Sequence, residues 1–544
     1  MMTSYLVSLS LAVGQLGHAP MTAEPAPADV PTQDLINRIA APPPGTPDPV
    51  APPKIDVPAA ASSAKNGDAD KKNGYADKNG SNGNGDKDAA TGGFFHTLHK
   101  EYHDAFFPPK DAKEPEPEPE KPGRAPPSPW GPPLPVAEYQ GYPLIGVPPG
   151  NEVWPLQKAL TTIPSIDDFQ KWSKINMYGW VTGSGNWSTA KQSNSPTSYW
   201  LVPNRMELDQ AVLRFEREAD TVQTDHIDFG FRSSFLYGID YRYMTAGGWF
   251  SDQLLKHNRL NGFDPTEQYV DMYIPKIADG FIIRLGRWIA CPDIETQFAP
   301  DNYMGSHSIL FTFDTYTQTG LMFTLKLSDM WMVQAGLNAG NDMAPSYKGA
   351  IPCGYAAVRW TSKDNNDGVY LVLNQINNAE FRHFEVDGQP AGHDNFNYVV
   401  GTYEHRFSQT AFTKTEAYYM WQYDAELGGT PSLGPPQYFA PSSGDNALLP
   451  GLSRTYGALN YTCVGITKDD YITVRNEWWK DERGMRSGTP GVYTSHTIGL
   501  SHNFNKLFQV RPEIGYYRNW TNDAFDNGNT KGIWMYGFDT TLRF

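Results

Sequence analysis

The sequence predicts an all-β protein: a transmembrane, antiparallel, up-and-down β-barrel of about 16 strands (roughly 14 to 18), preceded by a disordered arm rich in Pro and Gly. Two observations carry this prediction. From Lys174 onward, segments long enough to be membrane strands alternate between apolar or aromatic side chains and polar ones. The connections between these segments alternate between short and long down the whole chain.

Composition excludes several other classes of protein. The 544 residues include 50 Gly, 45 Pro and 19% charged residues, and no run of about 18 apolar residues follows the N-terminus, which excludes a bundle of membrane-spanning helices. The net charge of −16 argues against the basic surface that nucleic-acid binding requires. The cysteines Cys291, Cys353 and Cys463 are too few for a disulfide framework, and a Cys291–Cys353 bridge is left open.

The N-terminal part of the chain is predicted to lie outside the barrel. Residues 1–23 resemble a secretory signal peptide, because the apolar run Tyr5–Val13 is too short to span a membrane; the cleavage site is left open. Residues 24–165 are of low complexity, and we expect a mostly disordered periplasmic arm because so little apolar surface cannot offset the entropy of ordering. Within it, residues 94–107 have helical apolar spacing, so they form either a docking helix or a transient helix in a tether.

The strands are predicted from period-two alternation. In the clearest of them, His226–Met244, Phe231 and Tyr237 share one face and Arg232 and Asp240 share the other. A bilayer requires apolar side chains outside and every backbone polar group paired within the protein, which a sheet achieves only by closing. The predicted strands are residues 175–187, 204–218, 226–243, 268–275, 280–288, 316–327, 331–338, 353–361, 368–376, 397–407, 413–423, 454–467, 471–480, 491–503, 508–520 and 532–544.

The connections indicate how these strands are arranged. Those after the even-numbered predicted strands are short, and those after the odd-numbered ones are long. This parity is typical of a membrane barrel, with tight turns at one end and long loops at the other. An even strand count brings both ends of the barrel, residues 174–544, to the short-turn end, which we expect to face the periplasm.

Parts of the predicted barrel share a pattern with a known family. The matching stretches are Asn204–Glu216 (NRMELDQAVLRFE), Asp228–Arg232, Leu236–Tyr241, Tyr269–Asp271, Arg475–Glu477 and Arg511–Gly515. Together they resemble the family named putative beta-barrel porin-2. The resemblance covers roughly residues 174–544, leaves the arm outside, and implies a general pore in the bacterial outer membrane.

The last predicted strand alternates up to its final residue. One face carries large apolar and aromatic side chains and finishes on an aromatic ring. By resemblance to bacterial outer-membrane barrels, this pattern is the signal that the barrel-assembly machinery recognises. We therefore assign an assembly signal to Tyr536, Phe538, Leu542 and Phe544.

The inner face of a barrel this wide is expected to enclose water. Charged side chains in the inward phase would then sort solutes by size and charge. The alternative is that several of them merely solvate the wall or pair as Arg–Glu bridges. The predicted pore-lining residues are Asp228, Arg232, Asp240, Arg242, Arg284, Lys326, Lys414, Glu416, Arg475, Glu477, Arg511, Glu513, Asp539 and Arg543.

The loop between the fifth and sixth predicted strands, residues 289–315, is the predicted constriction. By similarity to sixteen-stranded porins, the loop at this position folds inward and narrows the pore. Its acidic residues Asp293, Glu295 and Asp301 would then face the wall arginines. The alternative is an ordinary outward surface loop.

These observations predict an outer-membrane porin, a passive channel for small hydrophilic solutes or ions. No enzymatic activity, cofactor or metal is expected, since Ser495 and His496 lie on opposite faces of a strand and no catalytic or phosphate-binding motif occurs. Two alternatives are a non-conducting anchor tied to the cell wall by the arm, and a secreted, soluble carbohydrate-binding protein. Expected partners are outer-membrane lipid, the solutes, the assembly machinery and, by analogy, two further copies in a trimer, with no nucleic acid.

Overall fold

The computed structural model divides the chain into two units, residues 1–84 and 85–544, and all described residues belong to the second. The predicted signal peptide, most of the predicted arm, Cys291 and Asp293 lie outside the described residues. The described residues are 93–109, 142–150, 153–197, 199–255, 257–290, 294–347, 349–377, 385–386, 389–390, 396–428 and 448–544.

Sixteen antiparallel strands form a closed barrel, which confirms the predicted fold class. Each strand pairs with its sequence neighbours, and the last closes on the first. The strands are β1 Asn176–Ser188, β2 Arg205–Arg217, β3 Asp228–Gly238, β4 Gly262–Ile274, β5 Phe281–Ile289, β6 Thr317–Lys326, β7 Trp331–Asn338, β8 Cys353–Thr361, β9 Asp367–Ile376, β10 Asn397–Ser408, β11 Ala411–Glu426, β12 Leu448–Gly465, β13 Asp470–Asp481, β14 Gly491–Asn503, β15 Phe508–Asn519 and β16 Gly532–Arg543.

Alternation along the strands separates an apolar outer face from a polar inner face. In β3, Phe229 and Tyr237 are 58% and 51% exposed on the outside, whereas Arg232 is 2% exposed on the inside. Leu285 in β5 and Leu337 in β7 continue the exposed apolar band. Because outward side chains of this kind suit hydrocarbon, the band is the surface expected to contact lipid. Among the described residues, no helix is long and apolar enough to cross a membrane.

The barrel closes at the seam between β1 and β16. Trp180 is in register with Arg543, and the ladder continues to Ser188 with Met535. The backbone N–H and C=O of Gly179 bond with those of Phe544 at 3.0 and 2.9 Å. A Cβ at Gly179 would lie 2.7 Å from the Phe544 ring, so glycine there lets the terminal ring cover the seam.

Short helices occupy both ends of the barrel. Three lie before β1, at the short-turn end, and three lie in the long loops at the other end. The mostly disordered arm was predicted to extend to residue 165. Helices at residues 155–160 and 164–173 show that ordered structure begins before that residue. The helices are α1 Phe94–Phe106, α2 Pro155–Leu160, α3 Pro164–Ser173, α4 Tyr241–Met244, α5 Asp252–Leu255 and α6 Ile309–Phe313.

Helix α1 docks against the short-turn end. The Tyr102 hydroxyl donates to the Arg543 carbonyl at 2.9 Å, and Lys158 of α2 pairs with Glu101 at 2.6 Å. The rings of Phe106 and Phe508 lie 5.8 Å apart. Helix α1 is thus in contact with the barrel, and which of the two interpretations of residues 94–107 describes its role stays a prediction.

The strand boundaries differ from prediction mainly around β3 and β4. The predicted strand 226–243 ends at Gly238, where φ is +154° and a Cβ would lie 2.0 Å from the Asp209 carbonyl oxygen. Glycine at that position lets the chain leave the sheet and turn into α4. β4 begins at residue 262 rather than 268, with a register shift opposite Ser234 and Leu236. β12 begins at residue 448 rather than 454.

Candidate functional site

The third long loop crosses the interior of the barrel. This loop, L3, comprises residues 290–316 between β5 and β6. It contacts β13, which lies eight strands from β5 in either direction around the barrel. A segment bonded to the strand opposite its own origin has to pass through the lumen. L3 therefore folds inward, and its role as the constriction of a pore stays a prediction.

Carboxylates of the wall hold L3 by its backbone. Glu477 on β13 accepts the N–H groups of Ile309 and Leu310 at 2.9 and 2.8 Å. Glu513 on β15 accepts those of Gly305 and Ser306 at 3.0 and 3.2 Å. Because charge-assisted bonds to buried backbone donors are strong, these two acids fix the path of the loop.

Glu416 on β11 adds a third carboxylate anchor. It accepts the N–H of Ile294 at 3.0 Å, close to the start of the described part of L3. The predicted pore-lining acids Glu416, Glu477 and Glu513 are therefore side chains that bind the loop.

Glu295 is the acidic residue of L3 that meets a wall arginine. Its Oε1 lies 3.8 Å from Nη1 of Arg475 and accepts the Tyr461 hydroxyl at 2.7 Å. Arg475 also donates to the carbonyl and hydroxyl oxygens of Ser306, at 2.7 and 2.9 Å. Burial raises the pKa of Glu295, and the positive charge of Arg475 opposes that rise. Glu295 thus lies within ion-pair distance of a wall arginine, and its role in a constriction stays a prediction.

Apolar packing completes the insertion of L3. Helix α6 is buried throughout, and the ring of Phe313 stacks on Trp479 of β13 with centroids 5.2 Å apart. On the other side, Phe298 packs edge-on against Trp180 of β1, 5.2 Å away, beneath the guanidinium of Arg214. L3 thus fills the space between two regions of the wall.

His307 in L3 is a neutral packing residue. Its ring lies 3.9 Å from the Tyr199 ring and 4.6 Å from the Phe311 ring, and its Nε2 is 3.1 Å from the Thr296 carbonyl. Burial lowers the pKa of His307 well below its usual value. The imidazole therefore carries no charge at neutral pH and adds no field to the lumen.

The wall arginines are buried in ion pairs. Arg284 makes two bonds to Asp271, at 2.8 and 2.7 Å, and Arg511 binds both oxygens of Asp539. Each guanidinium is 2% exposed. Planar two-bond pairs of this kind hold their geometry firmly. At these positions the alternative of Arg–acid bridges in the wall describes what is observed.

The remaining predicted residues fall into three places. Asp228 and Lys326 lie near the short-turn end, where Asp228 pairs with Arg217 at 2.7 Å. Lys414 lies inside, 3.7 Å from Glu404, and Arg543 is buried under the Trp154 ring. The role of all these residues in lining a pore stays a prediction.

Asp240 and Arg242 are corrected from strand positions to loop positions. They follow the end of β3, with Arg242 in α4, because the chain leaves the sheet at Gly238. Arg242 donates to Asn258 at 2.7 Å within the same loop, and Asp240 accepts from Gln210 of β2 at 2.8 Å. Asp301 lies in L3 and is half-buried.

The C-terminal residues face outward. Tyr536 is 49% exposed, and Phe538 stacks against Trp187 of β1 with centroids 6.1 Å apart. Leu542 shares their phase, and Phe544 closes the seam. Their recognition by the assembly machinery stays a prediction.

Two cysteines lie in the described part of the chain. Cys353 and Cys463 are buried and outside any disulfide there, whereas Cys291 lies outside the described residues. In the described ranges, no group of three His, Cys, Asp or Glu side chains could hold a metal ion.

Sequence reasoning missed several residues of this interior. Glu216, Glu267 and Arg214 form a buried network with Arg232. β2 has a bulge at Asp209, between the partners of Thr182 and Gly183 in β1. Arg214 and Glu216 lie beyond this bulge, and following the inward phase past it would have found them. Tyr142 lies in the predicted disordered arm, and no sequence signal marked it.

This closed barrel, apolar outside and charged within, defines a porin-like β-barrel of the outer membrane. The chain belongs to the family described as putative beta-barrel porin-2, OmpL-like, whose pattern matches residues 174–544. Both findings overturn the alternative of a soluble carbohydrate-binding protein.

Several solved structures are similar to this chain. The outer membrane channel DcaP of Acinetobacter baumannii has 12% sequence identity and a TM-score of 0.40, covering 68% of this chain and 97% of that one. The anion-selective porin from Comamonas acidovorans has 10% identity and a TM-score of 0.41, covering 68% and 99%. Salmonella typhi OmpF in complex with daunomycin has 11% identity and a TM-score of 0.42, covering 68% and 97%. No curated protein matches the chain in sequence.

Proposed function

We propose that the protein is a passive outer-membrane channel for small hydrophilic solutes or ions, without catalytic activity, and that L3 sets its narrowest region. The observation that carries this proposal is the path of L3 from β5 to β13. In this proposal, solutes pass between L3 and the polar wall of the barrel. Size and charge then decide which solutes pass.

The proposal includes an orientation and partners. The short turns and the N-terminal arm would face the periplasm, as is usual for barrels of this class. Lipid would cover the outer apolar band, and the assembly machinery would read Tyr536, Phe538, Leu542 and Phe544. A homotrimer is proposed by analogy with porins of similar size.

Swelling of liposomes that contain the full-length protein tests the channel directly. We expect sugars to enter at rates that fall steeply with size, because L3 occupies part of the lumen. The rates are read as the loss of light scattering, with vesicles that carry heat-denatured protein as the control. Equal rates for the smallest and largest sugars would contradict a passage limited by L3.

A non-conducting anchor is the second candidate function. The burial of the wall arginines favours it, since Arg214, Arg287 and Arg475 are 0% exposed. The docked helix α1 would connect such a barrel to the arm and, through it, to the cell wall. An anchor predicts no swelling with any sugar and predicts that the full-length protein sediments with purified cell wall.

Asp301 predicts a pH dependence of ion selectivity. Burial raises the pKa of Asp301 to about 7, against the lowering effects of Arg214 and Arg543. Its carboxyl is therefore mostly neutral at about pH 6 and mostly charged at about pH 8. We expect the preference for cations to increase over this range, measured as the reversal potential in a salt gradient.

Asp301→Asn should remove most of that shift, because an amide does not titrate. Asp364→Asn is the matched control, since Asp364 is an exposed acid in the short turn between β8 and β9. The raised pKa also affects stability. Between about pH 4 and 7 the Asp301 carboxyl is protonated in the folded protein but ionised in the unfolded chain, so the free energy of unfolding should fall as pH rises through that range. A pH shift that survives in Asp301→Asn would refute the assignment.

A further inference from the structure

A segment of the chain before β1 lies inside the short-turn mouth of the barrel. This segment, the strap, comprises residues 142–150. Leu144 and Ile145 are 8% and 3% exposed, and Ile145 packs with Tyr273 of β4 and Ile282 of β5. Both apolar side chains are therefore buried, and Ile145 is packed against the inner wall.

Tyr142 is held between two wall arginines. The guanidinium of Arg232 lies 5.2 Å from its ring centroid and that of Arg284 lies 4.8 Å from it. Arg232 Nη2 also donates to the Tyr142 hydroxyl at 3.1 Å, and the hydroxyls of Tyr142 and Tyr269 are 3.3 Å apart. Gln334 of β7 donates to the Tyr142 carbonyl at 3.3 Å. Cations that are shielded from water are attracted to the face of an aromatic ring. The contacts of Tyr142 reach from Arg232 in β3 to Gln334 in β7.

The rest of the strap follows the rim of the barrel. Gly146 N–H donates to the Thr221 hydroxyl at 3.0 Å, which in turn donates to the Val147 carbonyl at 3.2 Å. Gly150 N–H donates to the Glu218 carboxylate at 2.6 Å. Thr221 and Glu218 lie in the short connection between β2 and β3. The strap thus joins the turn at the mouth to the inner wall.

All of these contacts are reversible. They are hydrogen bonds, ring–cation contacts and burial of two apolar side chains, and each is modest alone. Burial raises the pKa of Tyr142 to about 12, while Arg232 and Arg284 oppose the rise, so the phenol stays neutral at physiological pH. A cavity of about 510 Å³ lies alongside, lined in part by Tyr142, Leu144, Arg232 and Tyr269. The strap therefore has adjacent open space.

We propose that the strap is a built-in plug of the short-turn mouth, with Tyr142 as its latch between Arg232 and Arg284. This inference rests on the proposed channel function and adds a second obstruction, formed by a different segment of the chain on the wall of β3 to β7 at the short-turn mouth. While the strap is bound, it excludes solutes from the wall of β3 to β7. Its release opens that side of the mouth without any change in the barrel.

The experiment compares single-channel conductance of full-length variants in planar bilayers. Tyr142→Ala combined with Leu144→Ser and Ile145→Ser removes the latch and the apolar contacts, and we expect conductance to rise by about twofold or more. Tyr142→Phe keeps the ring between the arginines and should stay close to the wild type. As a matched control, Gly/Ser replacement of residues 114–122, elsewhere in the predicted arm, should leave conductance unchanged. Heat-modifiable migration verifies that each barrel is folded.

A disulfide tests the placement of the strap separately. Ile145→Cys with Ile282→Cys, in a chain whose native cysteines are changed to Ser, should cross-link in native outer membranes. Oxidation should hold conductance at the low level, and reduction should have little effect while the latch is intact. In the same pair carrying Tyr142→Ala, reduction should raise conductance.

The outcomes separate the plug from the channel. A conducting wild type with no gain in the latch-free variant overturns the plug and leaves the channel. A cross-link that fails to form also overturns the plug. Absence of conductance from every variant, with the cross-link formed, overturns the channel and the plug with it.

Discussion

Removing the part of L3 that crosses the lumen is expected to raise single-channel conductance on the order of threefold. The variant replaces residues 296–313 with a short Gly/Ser linker, which deletes helix α6 and the loop atoms that meet Glu477 and Glu513. Those residues occupy space between opposite walls, so their removal widens the path for ions. Conductance in planar bilayers and the largest sugar that enters liposomes are the two measurements.

A point variant tests the same role of L3 without shortening the chain. Glu477→Ala removes the acceptor for the N–H groups of Ile309 and Leu310, and each buried donor left without a partner costs about 1–3 kcal/mol. We expect larger current fluctuations as the loop leaves β13. The control for the L3 replacement removes residues 429–446, the same number as 296–313, from the long loop between β11 and β12. Equal conductance in the L3 variant and this control would contradict a restricting role for L3.

Breaking the buried ion network of β2 to β4 is expected to cost about 3–5 kcal/mol of unfolding free energy. Glu267 pairs with Arg214 at 2.8 Å and with Arg232 at 3.1 Å, and it accepts the Ser234 hydroxyl at 2.7 Å. Both guanidinium groups are at most 2% exposed. Glu267→Ala therefore leaves two desolvated cations short of a counter-charge. Urea unfolding in lipid vesicles, followed by tryptophan fluorescence, measures the loss.

An exposed pair supplies the control for this measurement. Arg454 and Glu482 form an ion pair at 2.9 Å, with the arginine side chain 45% exposed. Glu482→Ala should cost less than about 1 kcal/mol, because water screens the charges. Similar losses in Glu267→Ala and Glu482→Ala would show that burial of the network does not determine its contribution.

The sequence was sufficient for the strand pattern because the bilayer imposes it residue by residue. A strand such as β13 places Arg475 and Glu477 inward whatever the rest of the chain does, since side chains alternate across a pleated sheet. The same rule failed beyond Gly238. The predicted strand 226–243 relied on alternation alone. That alternation continues through Asp240 and Arg242, although the chain has already left the sheet.

The state of the interior could not be read from the same pattern. Alternation indicates which side chains face inward, but whether that face contacts water depends on residues far away in sequence. Arg475 is buried because Ser306 and Glu295 reach it from L3, and Arg284 is covered by Tyr142. The strap was missed for the same reason. Its burial depends on arginines of the wall, and the low-complexity sequence around it carries no periodicity.

The crossing of L3 has a mechanical consequence. A thin cylindrical sheet resists bending along its strands but flattens easily into an oval when squeezed from the sides. L3 joins β5 to the opposite strand β13 through Glu477 and the Phe313–Trp479 stack. L3 therefore connects two opposite sides of the barrel. Lateral pressure along the β5–β13 diameter should deform the barrel less than the same pressure applied at right angles to it.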